Sequence, residues 1–183
     1  AEVVARGARL YAGRAAEAVR ATRGLFLTYL GEICDTRYYK SCGGLTENYE
    51  NAWDDRQIPY LTCISDSLKP FEPISSEEQA LKWLHASPNA YCNTTDESIL
   101  RTVLPAFDQE TKDFFRWQVS YSREELESIL KAKSGLDFGV LNNITPLNRG
   151  PSGRIYKLKI EGSKLSIVVG KELEIRRWLS QSH

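Results

Sequence analysis

Hydrophobic and polar positions in the first third of the chain predict three short strands. Leu25–Tyr29 and Ile33–Tyr39 are rich in β-favouring residues on either side of Gly31, which predicts a hairpin with glycine in its turn. Tyr60–Ile64 is a third, brief strand by the same criterion. The second strand of the hairpin is expected to run without a break into the polar turn that follows it.

Alternation returns in the second half of the chain. Asp113–Tyr121 predicts a strand, and Arg154–Ile160 and Leu165–Val169 predict the two strands of a second hairpin. The turn of this hairpin is expected at Glu161-Gly-Ser163. Alternation places one face of each strand against a core and leaves the other in water.

Helical spacing of apolar residues predicts five short helices. Capping boxes at Ser75 and Ser122, each followed three residues later by a glutamate, predict two of their N-termini. Three of the predicted helices have defined bounds: Arg14–Arg23 before Gly24, Ser122–Lys133 before Gly135, and Lys171–Leu179. The other two are a segment that begins at Ser75 and a segment that begins at Thr95 or Asp96 and ends at Pro105. The apolar stripe of Ser122–Lys133 consists of Leu126, Ile129 and Leu130.

The order of these elements predicts an α+β fold. Hairpins take the place of regular βαβ units, so we expect a largely antiparallel sheet with flanking helices. With 183 residues the chain is expected to form a single domain, residues 1–183. Residues 66–112 are rich in loops, helices and prolines, and we interpret them as an insertion or cap within that domain.

The polar turn Ser41–Glu47 has the most suggestive chemistry. Its adjacent glycines, Gly43 and Gly44, allow positive φ and let a ligand approach the main chain closely. Exposed N–H groups, hydroxyls and one carboxylate would supply polar contacts. We interpret the turn as part of an active or binding surface, and an ordinary hairpin loop is the alternative.

Composition excludes several classes of partner. The charges balance at 24 basic and 24 acidic residues, so the chain has no basic stripe for nucleic acid or for an anionic membrane. No apolar run approaches the roughly 20 residues of a membrane-spanning helix, and no secretory leader pattern opens the chain. Any export signal is therefore expected to have been removed before residue 1.

The four cysteines, Cys34, Cys42, Cys63 and Cys92, lack the spacing of a zinc ribbon or a thioredoxin-like pair. Cys34 and Cys42 lie on one expected strand, about 26 Å apart if it is extended, so they cannot form a disulfide with each other. If a disulfide forms, Cys63 with Cys92 is the favoured pair. Free buried thiols at all four positions are the alternative.

Several motifs in this chain resemble the stage II sporulation protein D family. They are Leu25-Phe-Leu-Thr-Tyr29 after Thr22-Arg-Gly24, Ser41-Cys-Gly-Gly-Leu-Thr-Glu47, Trp53 followed by Pro59-Tyr-Leu61, and Ser152-Gly-Arg154 before a strand pair and a short helix. Residues 66–117 and Gly170–Arg177 look most like versions of this domain from Bacteroides-type bacteria.

The resemblance implies an extracytoplasmic lytic transglycosylase that acts on peptidoglycan glycan strands stripped of their stem peptides. One carboxyl group protonates the oxygen leaving N-acetylmuramic acid and then, as a carboxylate, helps the sugar's 6-hydroxyl attack the anomeric carbon. This chemistry requires no cofactor. Some members of the family enhance a cell-wall amidase, so a non-catalytic peptidoglycan-binding or amidase-enhancing domain is the alternative function.

The sequence departs from the family pattern at the catalytic acid. In the family this acid is a glutamate that opens an alanine-rich helix, and a cysteine-containing segment follows; neither is intact here. Glu2 is the candidate acid, and a solvated N-terminal carboxylate is the alternative. The chain is then expected to lack residues near Gly7 and to be cut at its C-terminus. Zinc occurs in some relatives through the missing segment, but its ligands are not identifiable in this sequence.

The resemblance assigns substrate binding to residues of the turn and its neighbours. Trp53 would stack on a sugar face, although core packing is equally consistent with its type. The assigned residues are Tyr39, Ser41, Cys42, Gly43, Gly44, Thr46, Glu47 and Trp53. A Cys-His hydrolase is a remote alternative, in which Cys42 would need His85 or His183 as its base.

A spatial expectation follows for Glu2 and the turn. Because a sugar is held on both sides, the turn should line a cleft, with Glu2 within about 10 Å of it on the opposite wall. Glu47 would then be a supporting polar group, while the acid would be a partly desolvated carboxyl group with a raised pKa.

Overall fold

A computed structural model describes residues 13–104 and 115–180 of the protein. The chain divides into two compact units, Ala1–Tyr38 and Tyr39–His183. Among the described residues, both sheets are small and antiparallel, and helices are interspersed with them. This arrangement confirms the predicted α+β class.

The first unit contains a helix, α1, which covers residues 13–21, and a two-stranded hairpin. Strands β1 (Thr28–Tyr29) and β2 (Glu32–Ile33) pair antiparallel. Leu30 and Gly31, at φ values of 52° and 87°, form the two-residue turn between them. Positive φ at both positions is typical of a type I′ turn, whose twist matches that of paired strands. The predicted helix and hairpin are both confirmed.

The predicted strand over Ile33–Tyr39 is wrong beyond its first residue. Residues 34–39 have no regular structure, and no strand of the described chain pairs with them. Tyr38 is 87% exposed. β-Favouring side chains stabilise a strand through cross-strand neighbours, so without a partner this composition does not produce one.

The second unit is built on a three-stranded antiparallel sheet. Its strands β3 (Leu141–Arg149), β4 (Ile155–Gly162) and β5 (Ser166–Gly170) lie in the order β3-β4-β5. The predicted hairpin is confirmed as β4 and β5, although its turn lies just after Gly162. Sequence analysis did not predict β3, because Pro146 and three register shifts interrupt its pattern. An edge strand tolerates proline, since only one side needs hydrogen bonds.

Five further α-helices occur in the described part of this unit. They are α2 (Tyr49–Ala52), α3 (Glu77–His85), α4 (Glu97–Val103), α5 (Arg123–Ser134) and α6 (Glu172–Leu179), with a single 3-10 turn at Tyr91–Asn93. None of the helices in residues 13–104 and 115–180 is long and apolar enough to cross a membrane.

The helix caps follow the sequence signals closely. At α5 the complete capping box between Ser122 and Glu125 is present, and Gly135 ends the helix in the left-handed conformation at φ 73°. Asp96 caps α4 through the N–H groups of its first turn. At α3 the predicted cap is wrong by one residue: Ser76 caps the helix, whereas Ser75 binds the Gln79 side chain.

The main core lies between the sheet and helices α5 and α6. Leu130 and Ile160 are fully buried, and Leu158, Val169 and Ile175 are nearly so. The predicted stripe of α5 is confirmed, because its two buried residues are Ile129 and Leu130, with Leu126 packed beside them. This core supports the strands from which Ser152-Gly-Arg154 projects.

A second, smaller core lies beneath the polar turn. Its buried residues are Leu45, Ile74 and Ala80. Phe71 and Trp83 pack against them, and their two rings meet edge to face with centroids 5.0 Å apart. Leu45, the only aliphatic residue of the turn, is 2% exposed. The turn is thus anchored by one apolar side chain.

Two further predicted strands are wrong. Residues 60–64 form a turn and an extended segment, and only Ser65 makes a bridge, to Leu45. Residues 115–121 lack strand structure, and the other two residues of the predicted strand, 113 and 114, lie outside the described residues. Residues 66–104, most of the predicted insertion, carry α3, the 3-10 turn and α4.

Candidate functional site

The polar turn has a backbone that requires glycine. Gly43 and Gly44 have φ values of 67° and 101°. A Cβ atom at Gly44 would lie 2.8 Å from Cζ2 of Trp83, which is closer than van der Waals contact allows. The Gly44 carbonyl accepts a hydrogen bond from the Asp66 N–H at 2.9 Å. These glycines therefore serve both conformation and packing.

Thr46 holds the turn against the segment that follows α2. Its hydroxyl donates to the Thr62 carbonyl at 2.8 Å and accepts from the Ile64 N–H at 2.7 Å. The Thr46 N–H also donates to the Ile64 carbonyl at 3.0 Å. Because Thr46 is 8% exposed and its hydroxyl both donates and accepts a backbone hydrogen bond, it is a structural residue.

Glu47 joins the turn to the loop between β3 and β4. Its Oε1 accepts hydrogen bonds from the Asn48 N–H and the Asn51 Nδ2, both at 2.9 Å. Its Oε2 accepts from the N–H of Ser152 at 3.3 Å and from the Ser152 hydroxyl. Gly150 lies against the same carboxylate, with no room for a Cβ atom. This carboxylate is occupied by structural hydrogen bonds.

Arg154 makes the second connection between the two motifs. Its Nη1 donates to the Leu45 carbonyl at 3.0 Å and its Nη2 to the Cys42 carbonyl at 2.6 Å. Charged donors make stronger hydrogen bonds to carbonyls than neutral ones do. Ser41–Glu47 and Ser152-Gly-Arg154, the two motifs that carry most of the resemblance, therefore form one hydrogen-bonded unit.

A cleft of about 650 Å³ opens beside this unit. Ser41, Cys42 and Gly43 line it, as expected of the turn, and so do Ser152 and Arg154. Four aromatic side chains belong to the described lining: Trp83, Phe115, Trp117 and Tyr121. The volume lies in the range of small-molecule and cofactor sites.

The cleft is rich in arginine and poor in acid. Besides Arg154, its described lining contains Arg116, Arg149 and Arg176 and a single carboxylate, Glu172. Glu172 lies on the first turn of α6 with an 18% exposed side chain, 3.7 Å from Arg176. Arg149 is paired with Glu77 at 2.7 Å, and Arg116 and Arg154 donate to backbone carbonyls. Arg176, with a 57% exposed side chain, is therefore the guanidinium of this lining most accessible to an anionic ligand.

Arg116 is embedded in the cleft wall. Its guanidinium lies 3.9 Å from the Phe115 ring centroid and donates to the carbonyls of Gly43 at 3.3 Å and Trp83 at 3.0 Å. Burial lowers the pKa of this guanidinium. Its Nε is buried without a hydrogen-bond partner among the residues that the structure describes.

Behind the turn, three potential metal ligands come together. Cys42 Sγ lies 3.6 Å from Cys92 Sγ, and these sulfurs and a carboxylate oxygen of Asp66 all lie within 4.8 Å of one another. Asp66 Oδ2 accepts a hydrogen bond from the Cys92 N–H at 2.9 Å. The cluster combines two soft ligands with one hard ligand, a set that is able to hold a metal ion.

The Cys63–Cys92 disulfide, the pair favoured if any disulfide forms, is absent from the structure. All four cysteines are free thiols, and the sulfur nearest to Cys92 in this cluster is that of Cys42. The physical reason is the fold of residues 60–66, in which Thr46 of the turn bonds the backbone of Thr62 and Ile64, and Asp66, not Cys63, is brought to Cys92. The alternative of buried thiols holds fully only for Cys42, since the other three are partly exposed.

Burial raises the pKa of the Cys42 thiol to about 12, and the nearby Cys92 and Asp66 add to the effect. A thiol with this pKa stays protonated at neutral pH, so in the metal-free protein Cys42 is unsuited to the nucleophile of a Cys-His hydrolase. Burial also raises the pKa of Tyr39, as do Cys42 and Asp66. Tyr39 therefore lies within electrostatic range of the cluster, although it is 55% exposed.

The structure separates the remaining predicted site residues from the cleft. Trp53 is 43% exposed and stacks on Tyr49 at 6.5 Å between ring centroids, outside the described cleft lining. Gly44, Thr46 and Glu47 belong to the turn and stabilise its conformation, but they lie outside the described cleft lining. Glu2, the candidate acid, lies outside the described residues.

Sequence reasoning missed several residues of the cleft and the metal-ligand cluster. Trp83 lies in the segment interpreted as an insertion, and Arg116 lies in a segment predicted to be a strand. Glu172 lies in a helix predicted from its apolar residues alone. Asp66 and Cys92 carry a weak signal, as an acid and a thiol at opposite ends of a loop-rich segment. Nothing in their spacing pairs them with Cys42.

Comparison with known proteins identifies one family. The model of a domain of unknown function (DUF8618) matches residues 47–183, well over half of the chain. The match begins at Glu47 and includes Ser152-Gly-Arg154, so it covers both ends of the carboxylate–serine contact. No curated protein and no solved structure matches the chain.

Proposed function

This chain belongs to the DUF8618 family, and we propose that it is a cell-envelope domain that cleaves denuded peptidoglycan strands by lytic transglycosylation. The proposal rests on the resemblance to the stage II sporulation protein D family. One structural observation carries it further: the motifs Ser41–Glu47 and Ser152-Gly-Arg154 join at the wall of a 650 Å³ cleft. Two motifs so far apart in sequence meet where a substrate would bind.

The chemistry of the cleft suits such a strand. N-acetylmuramic acid bears a free carboxylate once its stem peptide is removed, and arginine is the side chain best matched to carboxylate geometry. Arg176 has a 57% exposed side chain at the cleft, which leaves it accessible to a ligand. Trp83 and Trp117 offer flat apolar faces against which a sugar ring can pack.

In the proposed reaction a carboxylic acid donates its proton to the glycosidic oxygen as the bond from that oxygen to the anomeric carbon breaks. The resulting carboxylate takes the proton of the muramic 6-hydroxyl, whose oxygen bonds to the anomeric carbon and gives a 1,6-anhydro product. No water is consumed, and no cofactor is needed; a zinc ion, which the resemblance allows, plays no part in these steps. By resemblance the acid is Glu2.

The test uses the complete protein and purified glycan strands without stem peptides. Mass spectrometry should detect 1,6-anhydromuramic ends that accumulate with time, and Glu2→Gln should abolish them while leaving the folded state unchanged. Intact strands after incubation with correctly folded protein would contradict the proposal. Strands that retain their stem peptides serve as the matched control and should be cleaved poorly.

A second candidate is a non-catalytic peptidoglycan-binding domain, which would anchor the protein or assist a separate amidase. The observation that favours it is the scarcity of acid at the described cleft, where Glu172 is the single carboxylate and is paired with Arg176. Cosedimentation with cell-wall sacculi without release of any product would support binding over cleavage. Both candidates place the protein outside the cytoplasm.

A further inference from the structure

We propose that Cys42, Asp66 and Cys92 form a zinc site that ties the polar turn to the segment between residues 66 and 92. This inference does not depend on glycan cleavage, because none of the three residues is the proposed catalytic acid, although Cys42 also lines the cleft. It assigns a ligand to a cluster that sequence spacing did not reveal.

The separation of the two sulfurs fits a shared metal ion. Zinc bonds to thiolate sulfur at about 2.3 Å, so two thiolates of a tetrahedral site lie roughly 3.8 Å apart. Cys42 Sγ and Cys92 Sγ are 3.6 Å apart, close to this value and far from the roughly 2.05 Å of a disulfide. The Asp66 carboxylate oxygen lies within 4.8 Å of both sulfurs.

Backbone hydrogen bonds hold the three ligands in place before any ion binds. The Asp66 N–H donates to the carbonyl of Gly44 at 2.9 Å, and Gly44 lies two residues after Cys42. The Tyr91 N–H donates to the Asp66 carbonyl at 2.8 Å, and the Cys92 N–H donates to Asp66 Oδ2 at 2.9 Å. The bond to Oδ2 fixes the orientation of the Asp66 carboxylate, one oxygen of which lies within 4.8 Å of both sulfurs, as outer contacts orient ligands in known sites.

The donor set favours zinc over calcium and magnesium. Calcium and magnesium prefer sites made entirely of oxygen, whereas two thiolates favour a borderline-soft ion. Two thiolates, a carboxylate and Zn²⁺ leave one negative charge, and Arg154, hydrogen-bonded to the Cys42 carbonyl, offsets it. Three protein ligands leave one coordination position for water.

Zinc at this position would stabilise the cleft wall. Cys42 lines the cleft, while Cys92 belongs to the 3-10 turn Tyr91–Asn93. Their sulfurs lie 3.6 Å apart, and hydrogen bonds through Asp66 also link the Cys92 segment to the turn at Gly44. A ligand that binds the folded chain and not the unfolded chain raises the free energy of unfolding by RT ln(1 + L/Kd), where L is the free ligand concentration, so the gain increases with L.

The full-length chain is loaded with zinc under reducing conditions and then desalted. Inductively coupled plasma mass spectrometry should then find one zinc ion per chain. Cys92→Ser and Asp66→Asn should each lose this zinc. Cys63→Ser is the matched control and should keep it, since Cys63 is partly buried nearby but outside the cluster. Cobalt substitution should give thiolate-to-metal charge transfer in the wild type and in Cys63→Ser alone.

Removal of zinc by a chelator should lower the melting temperature of the wild type, and re-addition of zinc should restore it. The melting temperature of Cys92→Ser should not respond to either step, which separates loss of metal from misfolding. A folded, reduced wild-type chain without zinc would overturn the proposal. So would a Cys42–Cys92 disulfide that forms in the presence of zinc, seen as an intact mass lower by two hydrogen atoms.

Discussion

The Glu47 carboxylate accepts hydrogen bonds from the N–H and the hydroxyl of Ser152, which lies 105 residues later in the chain. Ser152 is 4% exposed, so this contact is shielded from water. It joins the end of the polar turn to the loop between β3 and β4, and thereby positions the cleft wall. Glu47 acts here as a structural acceptor.

Ser152→Ala should destabilise the second unit by about 1.5–3 kcal/mol, because it removes a hydrogen bond to a charged acceptor and leaves that acceptor partly buried. Urea denaturation followed by tryptophan fluorescence measures the change. Ser128→Ala is the matched control: its hydroxyl donates to the Glu124 carbonyl on the exposed side of α5, and it should change stability by less than about 0.5 kcal/mol. Equal changes in stability for the two variants would show that the hydrogen bond to Glu47 contributes no more than an exposed one does.

Gly44→Ala should destabilise the protein by more than the cost of its positive φ alone. The new Cβ would meet Trp83 at 2.8 Å, and its backbone is at φ 101°. Gly24→Ala isolates the backbone cost, since Gly24 has φ 77° and nothing within 4 Å of its Cβ position. We expect about 1–2 kcal/mol for Gly24→Ala and a clearly larger loss for Gly44→Ala by thermal denaturation. A comparable loss of stability in the two variants would mean that the Trp83 side chain moves away from the new methyl group at no energetic cost.

Arg176→Ala should weaken binding to denuded glycan strands about tenfold, roughly 1.4 kcal/mol, because it removes the most exposed guanidinium of the cleft lining. Arg177→Ala is the control: Arg177 lies next to it on α6 but pairs with Glu174 at 2.6 Å, outside this cleft. Cosedimentation at two salt concentrations measures the effect, and the difference should shrink at high salt. Equal loss in both variants would place the strand elsewhere.

The metal-free protein should lose stability as pH rises above about 9. The unfolded chain releases the Cys42 proton near the ordinary pKa of 9.0, whereas the folded chain holds it to about 12. Across this interval the folded state binds more protons, so its free energy of unfolding falls with increasing pH. Cys42→Ser should reduce this alkaline decline, measured by urea denaturation at pH 8 and pH 10.5. A decline identical to that of the wild type would assign it to other groups.

Much of the local structure could be predicted from short stretches of sequence. The α5 capping box of Ser122 and Glu125, the cap of α4 at Asp96, the type I′ turn at Gly31 and the β4–β5 hairpin all depend on residues close together in the chain. Capping bonds and turn conformations are satisfied by neighbours, so local residue types suffice to predict them.

Sequence reasoning failed where an element needs a distant partner. Residues 34–39 have β-favouring side chains but no strand to pair with, and β3 forms despite Pro146 because β4 supplies its hydrogen bonds. Strand formation depends on pairing, and pairing is a tertiary event. Composition alone therefore over-predicted strands at residues 34–39, 60–64 and 115–121, and it missed β3.

For the candidate site, the sequence by itself determined which turn carries the polar chemistry, since Gly43 and Gly44 allow a backbone that other residues resist. Only the tertiary structure decided how those residues are used. In the tertiary structure Glu47 accepts a hydrogen bond from Ser152, and Arg116 and Glu172 line the cleft. The same structure brings Cys42, instead of Cys63, next to Cys92. Each of these contacts joins residues far apart in the chain, where spacing holds no information and the packing of the two cores sets the distance.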